Sequence, residues 1–436
     1  MTDMRIALVR TNKQSHVISP ALGIGYISSY LKSLGHEVKL FDGLRDNISN
    51  HQTTNDIIEY CPDYVGITAT TAEYRSAIEV AAGLKGIFPL VIGGVHASVL
   101  PEQTLKDAFF DYVVVGDGEY AFADILNGHY KPGIVRGCQV ADLDAIPWPD
   151  WEEINLPKYP REPWGIVTKG WPVGTIMTTR GCPYNCSFCA APEYTSKTMR
   201  YRNPADIVDE MVYLRDIWKV KEINISDDNF TVKRTHAVSV LEEIIDRNLG
   251  IPIALENAVR ADKVDPELLH LMKKAGVYLV GIGIENPNDR ILKLAGKGEG
   301  VKQIENAIKW AHEARLETRG CFIVGLPGET KESMKFMSDW ARKQPLDEAN
   351  FTALSILPGS RLWDKKKFEW GSNTFFDVEY APPGLTVQDV IRGRQHAFRS
   401  FYSSPRRFFR IISRLSINQI KHFLDVLLIY RLFKVK

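Results

Sequence analysis

Residues 179–190 read Thr-Arg-Gly-Cys-Pro-Tyr-Asn-Cys-Ser-Phe-Cys-Ala, and they place Cys182, Cys186 and Cys189 in the spacing Cys-x-x-x-Cys-x-x-Cys. A loop this short can bring three thiolates to three corners of one iron–sulfur cube. Such clusters are usually held by four cysteines, so three in a tight loop with no close fourth leave one iron open. Zinc or plain reduced cysteines are the competing readings. Zinc prefers four tetrahedral ligands; the nearest other cysteines are Cys138 and Cys321, and no histidine lies in the loop.

Downstream of Gly174 the chain alternates short apolar runs with helical patterns. The strand candidates are Gly174–Thr178, Glu222–Ser226, Ile253–Asn257, Tyr278–Ile282, Thr318–Val324 and Asn350–Ala353. Pro204–Lys219, Pro266–Ala275 and Val301–Ala314 read as helices between them, the prolines sitting where a first turn tolerates them. Six strand–helix units predict an incomplete parallel barrel, with its site at the carboxyl ends of the strands.

Taken in order behind the cysteine loop, these strand ends resemble the radical S-adenosylmethionine (SAM) enzymes. The resemblance implies a [4Fe–4S] cluster on the three cysteines, with the amino and carboxylate groups of SAM on the open iron. One electron, from a donor such as flavodoxin or ferredoxin, then breaks the sulfonium and releases a 5′-deoxyadenosyl radical. Phe188, just before the last cysteine, fits the family's habit. Asp227 and Asp228 match the turn that contacts the SAM amino group or ribose; adjacent acids can also bind a metal or cap a helix. Arg260 matches a bidentate fork for the SAM carboxylate, with an ordinary surface ion pair as the alternative. Glu285 matches a ribose acceptor, and Ile323 and Gly325 match the adenine edge.

Residues 4 to about 130 repeat the same rhythm. Arg5–Arg10, Glu37–Phe41, Tyr64–Thr68, Leu90–Ile92 and Tyr112–Val115 read as strands buried on both faces. A helix with Ile24, Ile27, Leu31 and Leu34 on one face separates the first two. Loops at the strand ends carry Thr68, Thr70 and Thr71, then Gly93-Gly94-Val95-His96-Ala97, then Gly116-Asp117-Gly118-Glu119. Glycines there let a ligand approach the backbone. The Gly-x-Gly-x-x-Gly signature is absent after the first strand. The loops, with Gly23-Ile24-Gly25-Tyr26-Ile27 and Gly35-His36-Glu37-Val38, resemble the cobalamin-binding domain that precedes many radical SAM domains. That implies cobalamin contacts at Thr68, Thr70, Gly93, Gly94, Gly116, Gly118 and Glu119. The Asp-x-His-x-x-Gly loop that supplies a cobalt-ligating histidine elsewhere is absent. His96 is either a substitute ligand or a residue bonded within its turn. A Rossmann-like module that binds nothing is the alternative for the whole domain.

Residues 135–170 are rich in proline and tryptophan (Trp148, Trp151, Trp164) and read as a surface connector that packs the interface. The expected division is therefore 1–134 cobalamin domain, 135–170 linker, 171–370 radical SAM core and 371–436 helical basic tail. The fold class is α/β: a Rossmann-like domain, a partial (β/α)6 barrel and a helical tail. From Arg399 to Lys436 nine Lys or Arg residues face one acid, Asp425. That tail can dock on the barrel or lie on an anionic membrane.

Bulk numbers narrow the class. A chain of 436 residues with 44% hydrophobic and 25% charged residues is ordinary for a globular protein. A net charge of +1 argues against a nucleic-acid partner, and six cysteines make no disulfide framework. No bilayer-length apolar run or signal peptide is read, which fits a reducing cytoplasm, with membrane association through the tail left open. The pairing of domains implies methylation of an unactivated carbon of a small-molecule or lipid substrate. The alternatives are an oxidative cyclase that transfers no methyl group and a non-catalytic carrier of cluster or cobalamin.

Overall fold

The computed structural model describes residues 3–13, 15, 17–163, 168–364, 378–405 and 407. Two parallel six-stranded sheets lie in sequence. The first contains β1 (Arg5–Arg10), β2 (Glu37–Asp42), β3 (Tyr64–Thr68), β4 (Leu90–Gly93), β5 (Tyr112–Val115) and β6 (Gly133–Arg136), in the order β2-β1-β3-β4-β5-β6. Five of the six residues of β1 are buried, as a strand covered by helices on both faces requires. The strand order reverses at β1, and in such sheets ligands bind in the crevice at the carboxyl ends beside that point.

β6 is a strand that the sequence reading left in the linker, and it spans the expected boundary at residue 134. The connector is also more than a surface tether. Trp151, Ile154, Leu156 and Tyr159 are at most 4% exposed and join a core cluster that runs from the first sheet into the second. Trp148 and Trp151 donate their indole N–H groups to Asp206 (2.9 Å) and Glu210 (3.0 Å). Trp164 lies outside the described residues.

Then follow β7 (Val173–Ile176), a two-residue antiparallel ribbon of β8 (Thr179–Arg180) and β9 (Arg200–Tyr201), and β10 (Glu222–Ile225), β11 (Ile253–Val259), β12 (Val277–Glu285), β13 (Glu317–Val324) and β14 (Glu348–Ala353). The second sheet runs β14-β13-β12-β11-β10-β7, so its two edges are the first and last strands of an open (β/α)6 barrel. Its helices start where side chains satisfy free N–H groups. Asn203 and Asp265 cap helices with proline in the first turn, and Thr330 caps Lys331–Lys343 through Ser333.

The tail expected to be helical contains a helix, Val387–Tyr402, whose bounds the sequence reading did not give. It opens on a Thr386/Asp389 capping box and buries Val390, Ala397 and Phe401. It docks on edge strand β14, where the Tyr402 hydroxyl accepts from the Ala349 N–H (3.0 Å) and donates to the Ala349 carbonyl (2.9 Å). The basic segment 408–436 lies outside the described residues. Among the described residues no helix is long and apolar enough to cross a membrane.

Candidate functional site: a cysteine loop facing a glycine-lined cavity

The cysteine loop leaves the β8–β9 ribbon through Gly181. Its φ of +109° and the 2.5 Å that would separate an added Cβ from the Thr198 carbonyl oxygen admit only glycine there. The loop is tied at several points. Cys182 N–H donates to Ser196 O (2.9 Å), Ser187 N–H to Ala295 O (2.8 Å) and Leu362 N–H to Ser187 O (3.1 Å). All three cysteines are free and half-buried.

Burial pushes their thiols up, Cys189 to about 11, while the cationic Lys297 and Arg260 pull Cys182 and Cys186 back towards thiolate. Among the described residues no three His, Cys, Asp or Glu side chains converge as a single ion would require. Thiolates that each bind a separate iron need not share one point. Three free cysteines beside two buried cations therefore fit a cluster better than one zinc.

The predicted SAM residues surround this loop. Phe188 and Ile323 pack in one apolar group with Leu326 and Ile356. Gly325 adopts φ +94°, and its N–H and that of Leu326 donate to Glu329, which also takes Asn286 Nδ2 (2.7 Å). Arg260 is buried rather than on the surface. It donates to Asp262 (2.8 Å) and the Lys297 carbonyl (2.7 Å) and lies 3.8 Å from the Tyr184 ring centroid. Glu285, at φ +56°, accepts from Lys297 Nζ (2.8 Å).

The two neighbouring acids part company. Asp227 is 2% exposed and accepts from the N–H and hydroxyl groups of both Thr178 and Thr179, which commits its two oxygens to the chain itself. Asp228 opens instead into a cavity of about 320 Å³ at the carboxyl ends of both sheets.

That cavity holds most of the predicted cobalamin residues: Thr68, Gly93, Gly94, Gly116, Gly118 and Glu119 all line it. Thr70 does not; its N–H turns to Glu73 (2.9 Å). At Gly116 an added Cβ would meet nothing within 4 Å, and at Gly93 only Val114 at 4.0 Å, so both glycines leave free space for a ligand. The barrel contributes Met177, Thr179, Tyr194, Ser226 and Asp228 to the same walls. His96 is buried and stacked on Tyr74 (3.8 Å), away from the lining. Burial lowers its pKa to about 3, which suits a packed neutral ring.

Sequence reasoning missed the clasp between the domains. Arg180, next to the cysteine loop, donates to Glu119 (2.7 Å) and approaches Asp117 (3.5 Å), and Arg200 on the partner strand also binds Asp117. Arg180 also stacks over Tyr26 at 4.8 Å. Glu119 is thus engaged across the domain seam.

Comparison with known proteins agrees with this arrangement. Residues 176–341 match the radical SAM superfamily and residues 13–126 match the B12 binding domain. A protein of Pyrococcus horikoshii, named as an uncharacterized methyltransferase, is 29% identical over 93% of this chain and 94% of its own length. The anaerobic magnesium-protoporphyrin IX monomethyl ester cyclase of Cereibacter sphaeroides is 28% identical over 93% of this chain and 71% of its own. Among solved structures, the radical SAM methyltransferase TsrM of Kitasatospora setae, with cobalamin and a [4Fe–4S] cluster bound, shares the fold. Its TM-score is 0.68 at 19% identity, over 83% of this chain and 77% of that one.

Fold and site together define an α/β enzyme in which a cysteine loop at the barrel's mouth adjoins a Rossmann-like sheet. The chain belongs to the B12-binding radical SAM enzymes, whose cofactors are a [4Fe–4S] cluster, SAM and cobalamin.

Proposed function

We propose that this enzyme is a methyltransferase acting on an unactivated carbon of a small-molecule or lipid substrate. The shared cavity carries the reading: loops of the first sheet and strand ends of the barrel line one space. When bound, the cluster with SAM supplies a hydrogen-abstracting radical and cobalamin a transferable methyl group; the protein supplies position and dryness.

In this reading Cys182, Cys186 and Cys189 hold the cluster. Phe188, Ile323 and Gly325 face adenine, and Arg260, Glu285 and Asp228 take the polar groups of SAM. Asp227 acts through Thr178 and Thr179 as a positioning residue. Thr68, Gly93, Gly94, Gly116 and Gly118 take cobalamin, and Glu119 fixes their loop through Arg180. Ile24, Ile27, Val91, Phe122 and Met177 make the lining largely apolar and exclude water. Residues 1–134 thus serve cobalamin, 135–170 join the domains, 171–370 serve the cluster and SAM, and the described part of 371–436 covers the barrel's edge. A low-potential donor such as flavodoxin or ferredoxin supplies the electron.

The name of the Pyrococcus relative supports methyl transfer. The likeness to the Cereibacter cyclase favours a second reading, oxidative ring formation without methyl transfer. Product mass decides between them: a gain of one methylene means methylation, a loss of hydrogens means cyclisation. Anaerobically reconstituted enzyme with a low-potential reductant should release 5′-deoxyadenosine from SAM. The triple Cys182/Cys186/Cys189→Ala variant should release none, and equal yields would end the radical reading.

A further inference from the structure

Halfway down the barrel, below the strand ends that carry the predicted SAM residues, the inward-facing positions form a polar ring. On the opposite, helix-packed faces, Phe322 stacks on Phe351 and meets Trp340 edge-on, and an added Gly174 Cβ would lie against Leu214 and Val220. Alternation along each strand therefore turns Thr175, Arg319 and Glu348 into the lumen.

Thr175 pairs in register with Asn224, and Asn224 Oδ1 accepts from the Glu256 N–H at 3.4 Å. An added Cβ on Gly281 would lie 2.9 Å from the Glu256 carbonyl oxygen. Gly281 is in register with Arg319, and Arg319 with Glu348. Arg319 donates from Nε (3.0 Å) and Nη2 (2.6 Å) to one oxygen of Glu348. The six strands thus contribute Thr175, Asn224, Glu256, Gly281, Arg319 and Glu348 to one layer.

Two features of this layer point to a missing guest. Thr175 is 1% exposed and its hydroxyl has no hydrogen-bond partner; Glu256 Oε1 is likewise buried without one, among the described residues. Buried polar atoms are seldom left so. Arg319 is moreover already paired with Glu348, so among the described residues Glu256 has no ion-pair partner of its own and stays protonated unless a cation binds. The charges below do not redress the balance: Glu222 is satisfied by the Tyr278 hydroxyl and the Lys169 and Gly170 N–H groups, and Glu317 pairs with Lys169. Tyr278, Leu279 and Ala254 close the floor. Above the ring lie Cys321 and the exposed Asn350, a register pair.

We propose that this ring is the inner end of the substrate site and binds a protonated amine, with Glu256 as counter-ion and Thr175 and Asn224 as neighbouring acceptors. This names the substrate class within the methyltransferase reading and depends on the substrate entering by the shared mouth. Burial, with Glu222 and Glu348 nearby, pushes the Glu256 carboxyl up to about 8 against the pull of Arg319, so the empty site holds a neutral acid. A bound ammonium reverses that preference and expels the proton. The linked proton release is therefore greatest below about pH 8 and fades at higher pH.

The test uses the reconstituted full-length protein, n-butylammonium as probe and butyrate as its anionic counterpart. Anaerobic calorimetry in buffers of different ionisation heat reads both affinity and proton release. We expect saturable butylammonium binding, proton release at pH 7 that vanishes by pH 9.5, and no butyrate binding. Glu256→Gln should weaken the probe at least about 10-fold and abolish the release, with Thr175→Val, which keeps the charge, retaining it. Equal or tighter butyrate binding would assign an anionic ligand instead. No binding of either probe would leave only water in the ring, and binding without proton release would place the amine elsewhere; each outcome overturns the proposal. None of these readouts needs turnover, so the amine site can fail while methyl transfer stands, and the reverse.

Discussion

Asp227 is where pH enters the site. One of its oxygens takes the two backbone N–H groups of Thr178 and Thr179, and the other takes their hydroxyls. Hydroxyls can turn and accept; amides cannot. Asp227→Asn, with its oxygen towards the amides and its NH2 towards the hydroxyls, should fold with a loss near 1 kcal/mol. Asp227→Ala orphans two buried N–H groups and should cost about 2–4 kcal/mol, together with the placement of Asp228. Burial dominates the titration and raises the carboxyl from 3.8 to about 6, against the pull of its four bonds. The folded state therefore holds this proton more tightly than the unfolded chain. Its contribution is complete below about pH 4 and is lost as pH rises through 6, by roughly 3 kcal/mol at most. Urea midpoints of the apoprotein should accordingly show the parent losing ground to Asp227→Asn between pH 4 and pH 7.5. A constant gap would mean that the carboxylate ionises freely in place.

The β8–β9 ribbon is the smallest element and joins the largest parts. Through Arg180 and Arg200 it fastens the cysteine loop to Asp117 and Glu119 at the end of the first sheet. Removing one member of such a buried pair leaves the other charge uncompensated. Arg180→Met should cost about 3–5 kcal/mol, and Arg180→Met/Glu119→Gln should recover part of it; additive losses in that cycle would deny the clasp. Tyr402→Phe should cost about 1–2 kcal/mol by freeing the edge N–H and carbonyl of Ala349, read as a lowered urea midpoint. These elements also divide what the sequence discloses from what it hides. The cysteine spacing, the strand ends and the glycine turns are local patterns, and they were legible. β6 was not, since Gly-Ile-Val-Arg at a sheet edge is too short to display a period. Helix Val387–Tyr402 did carry a signal, the Thr386/Asp389 box, although a basic stretch follows it. Glu119 and Asp227 were legible as acids in strand-end turns. Their partners Arg180 and Thr178–Thr179 lie about 50–60 residues away in sequence, so only the fold reveals that they are already engaged.

At the scale of the molecule, the buried core ignores the domain division. Ile6 and Leu8 of the first sheet, Trp151, Ile154 and Tyr159 of the connector, and Ile223 and Leu255 of the barrel belong to one contiguous cluster. Buried ion pairs and the indole bonds to Asp206 and Glu210 cross the same seam. Neither half can expose its face there without uncovering apolar surface on the other, so the two should melt as one cooperative unit. Cobalamin then acts on the whole chain rather than on the first domain alone. At a free concentration 100 times its Kd, hydroxocobalamin should add about 2.7 kcal/mol. For a chain of this length that moves a single transition up by about 3 °C. Tryptophan fluorescence, to which Trp310 and Trp340 report from the barrel, and far-ultraviolet dichroism, which senses both sheets, should shift together. Two transitions, with only the first raised by the ligand, would mean that the seam is a docking contact between independent domains and that the alignment of the cavity is set anew each time they close.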